Sequence, residues 1–155
     1  FTGSQMVSSH TLEIPLFKYY CLVIFGDDHA ECEKQRIAVW NETNPSDPME
    51  EPPNEDIDYW GRYQRIVPSI KGIHPMPSMI FITRKPDGYT KKAWNVQMHV
   101  TIAHECLHAA HYLLDYIGVE TTSDNNETLA YTLSYMQKEC IGMWEEFEKK
   151  KNHNK

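Results

Sequence analysis

The segment His104-Glu105-Cys106-Leu107-His108 carries the clearest chemistry in the chain. On a helix, histidines four positions apart share one face, so both imidazoles can reach a single metal ion. Glu105 projects beside them, where a carboxylate can take a proton from water that the metal has acidified. Zinc lowers that pKa towards ~7 and polarises a scissile carbonyl, so a weak base suffices. A catalytic zinc usually takes three protein ligands and leaves one position open. Glu127 stands in the first turn of the next expected helix, and a helix-loop-helix reversal aims it back at the histidines. Glu120, in the connecting loop, is its competitor, whereas Asp115 lies too far along the helix axis. His111 continues the histidine face, but at ~1.5 Å rise per residue it sits about 10 Å above His104, as a cleft residue rather than a ligand.

An oxyanion formed during peptide hydrolysis needs a donor other than the metal. Tyr131, one turn after Glu127, is the expected one, with Tyr135, Tyr112, His99 and His74 as alternatives. Cys106 points to another helix face and reads as packing.

The HExxH segment followed by Asn126-Glu127 resembles the gluzincin metallopeptidases, the thermolysin-like clan, from roughly Val96 to Tyr135. That resemblance implies a zincin-like fold and one Zn2+ per chain, held by His104, His108 and Glu127. It also implies Glu105 as general base and hydrolysis of a bond in a peptide or protein substrate. Thermolysin-like members carry an Asp four residues after the glutamate ligand to brace a zinc histidine; here Tyr131 stands there, which leaves that partner unassigned. In such peptidases the strand before the active helix forms a sheet edge for extended substrate, a role the resemblance gives to Met79 to Thr83. The metzincin pattern is disfavoured, because Leu114 occupies the place of its third histidine.

The elements that must position these residues are legible in outline. Val96, Val100, Ala103, Leu107, Ala110 and Leu114 recur at steps of four and three, predicting a largely buried helix over about Lys92 to Ile117, with Gly118 as its cap. A last helix runs from about Asn126 to Lys150, with Leu129, Leu133, Met136, Cys140, Met143 and Phe147 on its apolar face. The run Ser78 to Thr83 reads as a strand closed by a Pro86-Asp87-Gly88 turn, and Tyr59 to Ile73 holds at most one short strand. Leu12 to Phe25 reads as a strand interrupted near Pro15, followed by a helix capped by Asp27 or Asp28 and reaching about Trp40. The stretch from Asn41 to Asp58 has four prolines and seven acidic side chains, and reads as an exposed loop. The expected fold class is therefore α+β, a small twisted sheet packed on an active-site helix and a C-terminal ligand helix.

The chain has 155 residues, the size of one domain, here taken as 6–155; Phe1 to Gln5, before Met6, read as a tag-cleavage remnant. No apolar run is long enough to span a membrane, and no signal pattern is visible. A net charge of −7 argues against nucleic acid or anionic membrane as a partner. The four cysteines form no CxxC pattern, and reduced thiols fit a cytoplasmic setting. Two rival readings differ in kind: a zinc-binding zincin scaffold that recognises a partner without cleaving it, and an acidic interaction protein in which HExxH is accidental.

Overall fold

The computed structural model describes residues 6–50, 59–66 and 76–155. Among them the chain forms an α+β domain with a mixed four-stranded sheet and three helices. The elements run β1 (Val7–Ile14), β2 (Tyr19–Gly26), α1 (His29–Thr43), β3 (Gly61–Ile66), β4 (Met76–Ile82), α2 (Lys91–Tyr116) and α3 (Glu127–His153). The sheet order is β1-β2-β4-β3, with β2 and β4 parallel and both outer pairs antiparallel. No helix among the described residues is long and apolar enough to cross a membrane.

The interruption expected near Pro15 is a full reversal. Pro15 to Phe17 form one 3-10 turn, and Lys18 takes a left-handed conformation (φ 49°) that turns β1 back on itself as β2. Strand β2 is then apolar on both faces, as a central strand covered on both sides must be. Its alternate residues part to two sides. Cys21, Val23 and Phe25 join Met79 and Phe81 beneath α2 and α3, while Leu22 and Ile24 join Ile80, Ile82 and Cys32 beneath α1. Asp28 caps α1 by accepting from the Glu31 N–H at 3.1 Å, and this helix extends through Thr43, past the expected Trp40. The later part of the acidic Pro-rich loop lies outside the described residues.

Helix α2 begins where Thr90 accepts from the Ala93 N–H at 3.1 Å. It stops at Gly118, whose positive φ of 75° lets Val119 N–H reach Leu114 O (2.8 Å) and Gly118 N–H reach Asp115 O (3.0 Å). The apolar stripe read from the sequence is only half right. Val96 (58% exposed), Val100 (57%) and Leu107 (39%) face solvent, and the sheet takes Trp94, Met98, Ile102, Cys106, Ala109 and Leu113 instead. Apolar residues run round most of this helix, so periodicity alone could not choose the face. The larger side chains went against the sheet. On α3 the expected face holds: Met136, Cys140 and Phe147 are buried, joined by Trp144 and Thr132.

A second correction concerns β4. It pairs with β2 on one side and β3 on the other, so it has no free edge to offer a substrate. The edge strand on that side is β3.

Candidate functional site

His104, Glu105 and His108 lie in the middle of α2, and the helix brings the two imidazoles together as their spacing requires. Their Nε2 atoms stand 3.2 Å apart with the ring planes at 78°. Both rings are exposed, the side chain of His104 by 66%. Glu105 is the opposite: its side chain is 8% exposed, and its Oε1 lies 3.9 Å from His104 Nε2.

What buries Glu105 is β3. Gly61 passes over α2 so closely that a Cβ there would meet Thr101 Cγ2 at 2.4 Å and Glu105 Cγ at 3.0 Å. Two residues on, Tyr63 lays its ring nearly parallel to that of His108, with centroids 6.3 Å apart and planes at 19°. Tyr112, one turn beyond His108, also meets Tyr63, with centroids 6.1 Å apart. Behind them, burial pushes the Tyr19 phenol far above its ordinary range, assisted by Cys21 and Tyr63. Gly61 and Tyr63 are the site residues that sequence reading missed. The one available signal was the alternation Tyr59, Gly61, Tyr63 in a stretch granted a single short strand.

The 3.2 Å contact is a hydrogen bond between the two rings, and two nitrogen ligands of one zinc ion would stand at a similar separation. Zinc–nitrogen bonds of about 2.0–2.1 Å in tetrahedral geometry put two nitrogen ligands about 3.3 Å apart. A third ligand is not assembled: among the described residues no further His, Cys, Asp or Glu joins the pair. Glu127 is exposed at the start of α3, and the helix packing explains its distance. The His99 ring meets Trp144 at 5.2 Å, which fixes the side of α2 that α3 covers. At about 100° per residue, His108 points half a turn away from His99, hence away from α3. An antiparallel return from that crossing also puts Glu127 level with the end of α2, about 12 Å along the axis from His108. Glu120 lies on the histidine side instead, lining a recess of about 440 Å³ with His111, Tyr112 and Asp115.

Tyr131 is likewise not brought to the histidines. It is 74% exposed and lines an apolar recess with Ile14 to Phe17, beside Tyr135, whose hydroxyl donates to Glu13 O at 3.0 Å. It projects from the flank of α3 that meets the β1–β2 turn, so an expectation based on its distance from Glu127 along the chain fails with the ligand geometry. His99 is on the α3 side, and His74 lies outside the described residues. Of the donors named from sequence, Tyr112 is the one beside His108.

Comparison with protein-family models, with curated proteins and with solved structures gives no match.

Proposed function

We propose that this chain is a zincin-like, zinc-dependent peptidase that hydrolyses a peptide bond, with His104 and His108 as metal ligands and Glu105 as general base. The observation that carries the reading is the approach of the two Nε2 atoms to 3.2 Å, with the buried Glu105 carboxylate 3.9 Å from that of His104. When bound there, zinc supplies a Lewis acid that polarises the substrate carbonyl and makes water acidic near neutral pH. Glu105, held between Gly61 and the helix, takes the proton of the attacking water and returns it to the leaving amine. Strand β3 has one edge free of β4, and a substrate added to that edge in extended form lies beside the histidine pair. Tyr63 and Tyr112 border the place where the carbonyl would sit, and Tyr112 replaces Tyr131 as the expected oxyanion donor.

The third ligand comes from the segment after α2. The resemblance to gluzincins implies Glu127, which the packing of α3 turns away from the pair, and the recess beside His111 favours Glu120 instead. Zinc analysis by mass spectrometry of protein purified without chelator tests both. About one zinc per chain is expected, lost in His108→Ala and in one of Glu127→Gln or Glu120→Gln. Glu105→Gln should keep its zinc and lose cleavage of a peptide library. Wild-type protein that takes up no zinc on reconstitution would end this reading.

A second reading, a zinc-binding protein that recognises a partner without cleaving it, is favoured by the placement of Glu127 away from the pair. It expects the same zinc content with no cleavage by wild type.

A further inference from the structure

We propose that a second site, at the carboxyl ends of the two parallel strands, binds an organic phosphate of about mononucleotide size. Strands β2 and β4 end side by side at Asp27 and Thr83, tied by Thr83 N–H to Gly26 O (2.8 Å) and by Thr83 Oγ1 to Asp27 Oδ1 (2.9 Å). Each strand leads into a helix, and such strand ends are where open α/β sheets place ligands. A recess of about 610 Å³ opens there between the start of α2 and the last turns of α3. That volume lies in the range of small-molecule sites.

Its lining is basic in a chain whose net charge is −7. Arg84, Lys85, Lys91, Lys151 and Lys155 surround it, against the carboxylates Asp27 and Glu148. Asp27 is already neutralised by Lys151, which it contacts directly. Lys85 donates to the carbonyl of Tyr89 at 2.8 Å and forms no ion pair with a described carboxylate. Arg84, Lys91 and Lys155 form no ion pair with any described residue. Three free cations and Lys85 thus oppose the single carboxylate Glu148, an excess that suits a phosphate dianion better than one carboxylate.

The wall fits an apolar body behind that charge. Trp94 and Trp144, each 5% exposed, contribute to the lining; among the described residues neither the indole N–H of Trp144 nor Glu148 Oε1 has a hydrogen-bond partner. Trp94 N–H is spent on Thr83 O at 3.3 Å. From Lys91 to His104 the helix rises about 20 Å, so this site is separate from the histidine pair and independent of the function proposed for it.

Calorimetric titration at low salt, using adenosine 5′-monophosphate, inorganic phosphate and adenosine as probes, tests the proposal. The monophosphate should bind saturably and more tightly than phosphate, with adenosine alone showing no binding. The surface double variant Arg84→Ala/Lys91→Ala, checked for native circular dichroism, should weaken the monophosphate at least about tenfold. His108→Ala should bind it as wild type does. No saturable binding, equal binding by the double variant, or adenosine binding as well as its monophosphate would each overturn the assignment.

Discussion

Gly61 on β3 sits over Glu105 on α2 with no room for a methyl group between strand and helix: a Cβ would approach Glu105 Cγ to 3.0 Å and Thr101 Cγ2 to 2.4 Å. The second contact is the severe one, because a β-branched side chain on a helix has little rotamer freedom with which to retreat. Gly61→Ala must therefore push the edge strand off the helix. Overpacking of this kind costs about 1–3 kcal/mol, and urea unfolding should show a lower midpoint with an unchanged slope. The same displacement opens Glu105 to water, so the cleavage proposed for this site should fall further than stability alone explains. A midpoint equal to wild type would mean that the strand rests on the helix less tightly than these distances say.

Tyr63 is a positioning residue for His108. Its ring, nearly parallel to the imidazole, limits how that imidazole can turn, while Tyr112 packs against Tyr63. Tyr63→Phe keeps the stacked face and should leave zinc affinity close to wild type. Tyr63→Ala removes it and should weaken zinc about 10-fold, at the low end of losses seen when groups orienting a ligand are removed. Competition with a chromogenic chelator reads this without reference to turnover. Equal affinity in all three proteins would show that α2 alone orients His108.

The helix carrying the motif was legible because local signals agreed: apolar positions at helical spacing and a left-handed Gly118 both act within a few residues. What sequence could not settle was which side of that helix meets the sheet. Val96 and Val100 are as apolar as Met98 and Ile102, and only the position of the sheet separates them. Glu127 and Tyr131 stand away from the histidines for the same reason. Distance along the chain said that they follow the histidines, while the crossing at His99 and Trp144 turned α3 to the opposite side. Gly61 and Tyr63 join the site only through the β3–β4 pairing, a long-range contact with almost no local signature.

His10 gives the fold a directional pH response. Burial holds its pKa below the ordinary 6.5, and Lys150 adds to the effect, while Glu146 opposes it. A histidine depressed in the folded state is protonated more readily in the unfolded chain. Its contribution is therefore intact above pH 6.5 and declines as pH falls from there through the folded pKa. His10→Gln should flatten that part of the stability curve, compared with wild type in urea melts at about pH 5 and about pH 7.5. Parallel curves for the two proteins would remove His10 from the response.

The four cysteines should be silent until the fold opens. Cys21, Cys32, Cys106 and Cys140 are all free and all buried. Burial raises the Cys32 thiol to about 12 and lifts Cys21 beyond that, while a hydrogen bond with Cys106, followed by burial, raises Cys140. Since the thiolate is the reactive form, burial denies access to all four, and ionisation also disfavours attack on Cys21, Cys32 and Cys140 near pH 8. Ellman's reagent should titrate almost none of the four thiols in native protein and all of them in guanidinium chloride. Cys106 makes this informative about the site, because it lies on the core side of the helix between His104 and His108. Fast reaction of one thiol in native protein, mapped by mass spectrometry to Cys106, would mean that α2 lifts from the sheet, and the histidine pair with it.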